Sequence, residues 1–240
     1  MALDINCVDW MKNLPTEGLK SLLMLGRQDV VGEIGFSRTE QFFESIGFSE
    51  IFALDISGPN DDWNITHDLN IPVSKDLENK FDCIIDGGTL EHVFHVGTAF
   101  ESIHRMLRTG GVAIHFCVMN NTVNHGFYQL SPTALFSTYE ANKYEHLSTA
   151  WFSTTKKFLP EGRKIETKKI LETYDKKHIA RLGMSARIEF GSDIQSANQI
   201  LMGYCVRKKV GGAFKIPQQA IYSDMKDDPV LAELTSVLYL

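Results

Sequence analysis

Short apolar runs alternate with amphipathic segments through the first 150 residues of the chain. The runs at 21–26 (SLLMLG), 51–57 (IFALDIS) and 81–86 (FDCIID) each stop at or near a glycine or an acid, as buried parallel strands do. Between the first two, the capping box of residues 37–40 predicts the start of a helix, and Gly47 predicts its end. Strand, helix and strand in this order predict a parallel sheet with helices on both faces.

The same alternation continues after the third run. Apolar residues recur at helical spacing within 96–107, and 112–118 (VAIHFCV) reads as another buried strand. Ser131 and Pro132 then supply an N-cap and a first-turn proline for a further helix. The pattern up to this point is that of a doubly wound α/β domain.

The last third of the chain has a different character. Residues 144–153 and 200–209 are predicted strands, and more than 40 residues separate them. We interpret residues 1–210 as one domain with an insertion at about 153–199, and residues 211–240 as a tail that packs on it. Residues 156–187 hold ten Lys/Arg and four Asp/Glu. This segment is either a basic flap over an anionic substrate or a solvated amphipathic helix.

Composition narrows the class of protein. The chain has 240 residues, 43% of them hydrophobic, and a net charge of -6, which excludes a disordered protein and disfavours nucleic-acid binding. Four widely spaced cysteines without a C-x-x-C pair indicate buried free thiols in a reducing compartment. The acidic N-terminus lacks the features of a signal peptide, and no apolar run is long enough to span a membrane. We therefore expect a cytoplasmic protein, and self-association is left open.

Ligands of open parallel sheets bind beyond the carboxyl ends of the strands, so the polar residues at those ends are the candidate chemistry. Asp55 follows the second strand, where one carboxylate could accept hydrogen bonds from both hydroxyls of a ribose. A turn residue is the equally weighted alternative for Asp55. The first strand is assigned to residues 21–26, and a second alignment would use residues 33–37 (EIGFS) instead.

Four segments give the chain a family resemblance: 25–28 (LGRQ), 67–70 (HDLN), 86–93 (DGGTLEHV) and 120–132 (NNTVNHGFYQLSP). Together they resemble class I S-adenosylmethionine-dependent methyltransferases, and more narrowly the methyltransferase-like proteins of bacterial glycan and polysaccharide biosynthesis. The resemblance implies a Rossmann-like, mostly parallel sheet of seven strands whose last strand is antiparallel. It covers about half of the chain. The usual first motif has an acid and alternating glycines, whereas residues 24–29 hold a single glycine.

The resemblance also implies S-adenosyl-L-methionine as the cofactor. Asp55 would hold its ribose, Asp68 would face its adenine, Leu69 would pack on the adenine ring, and Asp86 would line the methionine side. The complete set of expected cofactor-binding residues is Gly26, Arg27, Gln28, Asp55, Asp68, Leu69, Asp86, Gly87 and Gly88.

Transfer of a methyl group to a neutral hydroxyl requires a base. His125 is the favoured candidate, and His92 and Glu91 are the others. The polar loop after the fifth strand offers amides and an aromatic ring for a small-molecule or glycan acceptor, through Asn120, Asn121, Asn124 and Tyr128. No metal is expected, although Asp86, Glu91 and His92 are an alternative ligand set for a divalent ion. The competing function is a catalytically inactive scaffold with the same fold, which the incomplete glycine motif would favour.

Overall fold

The computed structural model describes residues 2–3, 5–30, 36, 38–58, 62–159, 162–173 and 198–218. The helices and strands within them are β1 (Ala2–Leu3), α1 (Ile5–Lys12), β2 (Ser21–Leu25), β3 (Asp29–Val30), α2 (Thr39–Ser45), β4 (Glu50–Asp55), β5 (Asn64–Thr66), β6 (Phe81–Asp86), α3 (Val96–Met106), β7 (Leu107–Val118), α4 (Pro132–Ala141), β8 (Tyr144–Leu159), β9 (Gly162–Thr173) and β10 (Gln199–Lys208). None of the helices in the described part of the chain combines the length and the apolar composition that a membrane span needs.

Eight strands form the main sheet in the order β5-β4-β2-β6-β7-β10-β8-β9. The five strands from β5 to β7 are parallel to one another, and β10 runs antiparallel to both β7 and β8. The seven strands from β5 to β8 in this order form the predicted Rossmann-like sheet. The strand that comes last along the chain, β10, is the predicted antiparallel one. The prediction of the fold is therefore confirmed, and β9 extends the sheet by one more antiparallel strand at its edge.

The predicted insertion contributes to the sheet. Gly162–Thr173 forms β9, which pairs with β8 from Leu159↔Gly162 to Thr149↔Thr173. The amphipathic-helix interpretation is wrong for these residues, because pairing with β8 gives their backbone a partner that overrides local helix propensity. Residues 174–187 of the basic segment lie outside the described part of the chain.

Helices cover both faces of the sheet. On one face, Leu22 and Met24 of β2 pack in a core that includes buried residues of α1 and α2; on the other, Leu23 and Leu25 pack with buried residues of α3 and α4. The strict alternation along β2 follows from the two-residue period of a strand. Every residue of β2 is buried, which confirms residues 21–25 as the central strand. The alternative alignment at 33–37 falls mostly outside the described residues.

The N-terminal helix α1, which the hydrophobic pattern did not predict, is fixed to the sheet by Trp10. The Trp10 side chain is fully buried, and its Nε1 donates a hydrogen bond to Ser148 Oγ at 3.1 Å. A Cβ added to Gly203 of β10 would lie 2.7 Å from the Trp10 ring. Gly203 therefore creates the space that the indole occupies.

Helix α2 begins one residue later than the capping box predicts. Arg38 is at the N-cap position and makes no side-chain cap hydrogen bond, so the capping-box prediction is wrong. Thr39 Oγ1 instead donates to Gln28 O at 2.6 Å, which ties the start of α2 to the loop after β2. Gly47 follows the helix with φ +106°, as predicted. Ser131 and Pro132 are at the predicted positions at the start of α4.

Candidate functional site

The carboxyl ends of β4, β2 and β6 lie side by side, at the point where the strand order reverses. We refer to this end of the parallel strands as the carboxyl edge. Gly26 follows β2 with φ +69°, and its backbone N–H donates to Leu54 O at 2.7 Å. A Cβ at this position would lie 2.9 Å from Thr89 Oγ1 and 4.0 Å from Asp55 Oδ2. The turn therefore requires glycine, both for its backbone conformation and for the close approach of the segment after β6.

Asp55 lies beside this turn. Its Oδ2 accepts a hydrogen bond from the backbone N–H of Arg27 at 3.3 Å, and its Oδ1 accepts one from the Ser57 N–H at 3.2 Å. The Arg27 guanidinium lies 2.8 Å from a carboxylate oxygen of Glu40 on α2. Asp55 thus forms part of the turn, and it is also partly exposed at the carboxyl edge of the sheet.

Gln28 packs its side chain against Gly87 after β6. Its Nε2 donates to Leu25 O at 2.8 Å and to Gly26 O at 3.1 Å. A Cβ on Gly87 would lie 2.1 Å from Gln28 Oε1, so only glycine leaves room for the carboxamide. Gln28 Oε1 itself is buried and has no hydrogen-bond partner among the described residues. Native proteins provide partners for the large majority of buried acceptors, so this oxygen is an exception that needs a reason.

Asp68 and Leu69 are less suited to the adenine contact that the resemblance implies. Asp68 Oδ1 accepts hydrogen bonds from the backbone N–H and the side-chain amide of Asn70 at 2.9 and 2.8 Å, and these bonds lower the pKa of Asp68. Leu69 is 5% exposed and belongs to the core on the α3 and α4 face. In the structure Asp68 closes a local turn, and Leu69 has little surface to offer a ring.

Asp86 is fully buried at the end of β6. Its Oδ1 accepts hydrogen bonds from the N–H groups of Thr89 and Leu90 at 2.8 and 3.3 Å, and its Oδ2 lies 3.0 Å from His115 Nδ1. The other ring nitrogen of His115 meets the Tyr139 hydroxyl. Burial opposes ionisation of Asp86, but His115 and the two amides outweigh it and lower the pKa. Asp86 therefore holds the turn that follows β6.

His115 and Tyr139 were not predicted as site residues. Their signal in the sequence is a histidine inside the apolar run at 112–118, because a buried imidazole needs partners for its two nitrogens. The structure supplies both partners, Asp86 and Tyr139.

The next turn brings together the three candidate bases. Glu91 is fully buried, and neither of its carboxylate oxygens has a hydrogen-bond partner in the part of the chain that the structure describes. Its Oε1 lies 3.6 Å from His125 Nε2, and the ring centroids of His92 and His125 are 5.0 Å apart. Burial, with a smaller contribution from the Asp86 carboxylate, raises the pKa of Glu91 to about 8. We refer to Glu91, His92 and His125 as the Glu-His-His cluster.

The loop after β7 is docked on this turn through its backbone. The N–H groups of Phe127 and Tyr128 donate to Glu91 O at 2.8 and 3.2 Å. A Cβ on Gly126 would lie 2.6 Å from the same oxygen and 3.2 Å from His92 Nδ1. The docking fixes the position of the loop that carries His125 relative to Glu91 and His92.

Most of the polar side chains predicted to bind an acceptor hold this loop in place. Asn120 Oδ1 accepts from Ile200 N at 2.7 Å, Asn121 Nδ2 donates to Asn198 O at 2.9 Å, and the Tyr128 hydroxyl donates to a backbone carbonyl at 2.8 Å. Asn124 is exposed at the tip of the loop.

The exposed part of this edge is largely aromatic. The rings of Phe94 and Phe127 are 57% and 65% exposed, and their centroids are 5.5 Å apart. Sequence reasoning missed both residues, although Phe127 is an aromatic side chain in a largely polar loop.

The order of the strands and the turns at the carboxyl edge of the sheet are those of the class I methyltransferase fold. A solved structure of a candidate methyltransferase from Bacillus halodurans C-125 matches 85% of this chain and 97% of its own, with 9% identity and a TM-score of 0.52. The N-methyltransferase NodS from Bradyrhizobium japonicum WM9 matches 85% and 96%, with 12% identity and a TM-score of 0.46. No family model and no curated protein matches the chain. At such identities the comparison shows a shared fold, and the reaction is a separate question.

Proposed function

We propose that this chain is an S-adenosyl-L-methionine-dependent methyltransferase. The observation that carries the proposal is the combination of Gly26, Asp55 and Gln28 at the point where the strand order reverses. A close-approach glycine turn, a partly exposed aspartate and a buried oxygen without a partner among the described residues lie together there. This is the position at which sheets of this type bind nucleotides.

The residues at this edge fit such a cofactor. In the proposal, Asp55 accepts hydrogen bonds from the ribose hydroxyls, and Gln28 Oε1 accepts one from the ammonium group of the methionine part. Gly26 and Gly87 allow close approach of the backbone, Arg27 and Gly88 complete the methionine side, and the buried Asp86 holds the turn beneath it. Asp68 remains the candidate for the adenine end, whereas Leu69 supports that end from the core and offers the ring little surface. The cofactor would supply an electrophilic methyl group on a sulfonium, and the protein's task would be positioning.

The proposed acceptor is a hydroxyl of a sugar, a nucleotide sugar or a glycan end. The exposed rings of Phe94 and Phe127 suit the apolar face of a sugar. The neighbouring Glu-His-His cluster can accept the proton of a sugar hydroxyl or polarise its O–H bond. Asn124 is an additional polar contact at the loop tip. The excess of Lys and Arg in residues 156–187 favours an acceptor with negative charge.

Calorimetry with S-adenosylhomocysteine tests the cofactor proposal. We expect micromolar binding to the intact chain and a loss of at least about tenfold in Asp55→Asn, since one carboxylate carries the ribose contact. Asp9→Asn is the matched control, because Asp9 is an exposed acid on α1. Equal affinity in both variants would remove Asp55 from the site.

The second candidate function is a catalytically inactive scaffold. The observation that supports it is that the Gln28 carboxamide already occupies the space next to Gly87. Gln28 lies in the turn after the first strand, where the usual motif has glycines. Absence of binding at millimolar S-adenosylhomocysteine would favour the scaffold. If the ligand binds, mass spectrometry of candidate glycans incubated with the labelled cofactor decides whether a methyl group is transferred.

A further inference from the structure

A buried carboxylate without partners is the unusual feature of the Glu-His-His cluster. Glu91 is fully buried, and within the described residues neither of its carboxyl oxygens has a hydrogen-bond partner. Burying a carboxyl group without compensating hydrogen bonds is costly, and native proteins provide partners for the large majority of such groups. The structure thus places an unsatisfied acceptor directly beside two imidazole rings.

The spacing of the three side chains leaves room for a shared ligand between them. Glu91 Oε1 and His125 Nε2 are 3.6 Å apart, which is beyond the usual hydrogen-bond distance. One ligand atom from each of Glu91, His92 and His125 lies within 4.8 Å of the other two. Two ligands of a tetrahedral zinc ion are about 3.4 Å apart, since each bond is about 2.1 Å long. Small side-chain rotations would bring all three atoms into that range.

The backbone holds the cluster together from two elements. Glu91 and His92 lie on the turn after β6, and His125 lies on the loop that docks on Glu91 O through backbone hydrogen bonds. Both histidines are exposed on the solvent side. An ion bound here would keep coordination positions open to an oxygen ligand, as catalytic metal sites do.

We propose that Glu91, His92 and His125 bind one divalent transition-metal ion of the zinc type. Two imidazoles and one carboxylate favour such an ion over magnesium or calcium, which prefer oxygen ligands. The ligand set considered from the sequence had Asp86 in place of His125. Asp86 is excluded here, because His115 and two backbone amides already occupy its carboxylate oxygens.

The site would deepen the proposed function by acting on the acceptor. A bound ion would lower the pKa of a coordinated acceptor hydroxyl, which could then lose its proton to solvent water, and His125 would serve as a metal ligand instead of a general base. This role rests on the proposed methyltransferase activity, whereas metal binding itself does not. Binding of S-adenosylhomocysteine and of zinc can therefore fail independently.

Zinc and cobalt titrations of the purified full chain test the site. We expect one Zn²⁺ per chain by calorimetry, and an affinity at least about 100-fold weaker in His125→Ala, His92→Ala and Glu91→Gln. His95→Ala is the matched control, because His95 is an exposed histidine near the cluster but outside it. It should retain the affinity of the unaltered chain.

Co²⁺ provides a readout of the ligands in the unaltered chain. Visible bands of nitrogen and oxygen coordination, without thiolate charge-transfer bands, are expected. Thiolate bands would instead place the ion at the buried group of Asp86, His115 and Cys117 and overturn the proposal. So would an unaltered chain that binds no Zn²⁺ at micromolar concentration, or a double variant His92→Ala/His125→Ala that binds it undiminished.

Discussion

The contact between Gln28 and Gly87 predicts a strong energetic coupling between two loops of the candidate site. In Gly87→Ala, the new Cβ would lie 2.1 Å from Gln28 Oε1 and 2.5 Å from Gln28 Cδ, whereas ordinary contacts begin at 3.4 Å. The carboxamide must therefore move away. Its hydrogen bonds to Leu25 O and Gly26 O, at 2.8 and 3.1 Å, would then break.

The size of the effect follows from these two bonds. A buried hydrogen bond contributes about 1 kcal/mol, and carbonyls left without partners add to the loss. We expect Gly87→Ala to lower the free energy of unfolding by about 3 kcal/mol. In the background of Gln28→Ala the three atoms nearest to the new Cβ are removed, so the same substitution should cost less than about 0.5 kcal/mol.

Urea unfolding of the unaltered chain, the two single variants and the double variant measures this coupling. The expected interaction between the two positions is about 2 kcal/mol or more. Additive effects, within about 0.5 kcal/mol, would refute the interpretation that Gln28 occupies the space that Gly87 leaves.

Two further predictions concern the body of the protein. Gly203→Ala should lower the free energy of unfolding by about 1–3 kcal/mol, because its Cβ would overlap the buried Trp10 ring. Gly97→Ala on α3 is the control, since its Cβ would meet nothing within 4 Å among the described residues and should not lower the melting temperature. Equal melting temperatures of the two variants would contradict the packing of Trp10 on Gly203. Burial, assisted by the charge of Lys208, lowers the pKa of His104 below its ordinary value of 6.5. The unfolded chain therefore binds this proton more readily, so stability should fall as the pH drops below about 6.5, and His104→Gln should flatten that part of the stability profile measured by urea unfolding.

The arrangement of the sheet was accessible from the sequence because its strands are buried on both faces. Continuous apolar runs such as 21–25 and 81–86 are typical of central parallel strands, and the glycines and acids at their ends marked the edge where the site lies. The four buried free cysteines also agree with the interpretation of their spacing.

Other features depend on tertiary contacts that a local pattern does not encode. Helix α1 is stabilised by one tryptophan that packs under a glycine 193 positions away in the sequence. Strand β9 has a composition that is also compatible with a helix, and its pairing with β8 decides the outcome. The predicted roles of Asn120 and Asn121 rested on residue type alone, and the structure shows both side chains bonded to the segment at 198–200.

The position of β10 has a consequence for synthesis on the ribosome. This strand lies between β7 and β8, although it is made after both. Until residues 199–208 have left the exit tunnel, each of the two earlier strands has an edge that lacks its final neighbour, and such edges attract other chains. A nascent chain that stalls before β10 would therefore be prone to aggregate, and co-translational folding of the sheet can finish only after residues 199–208 have emerged.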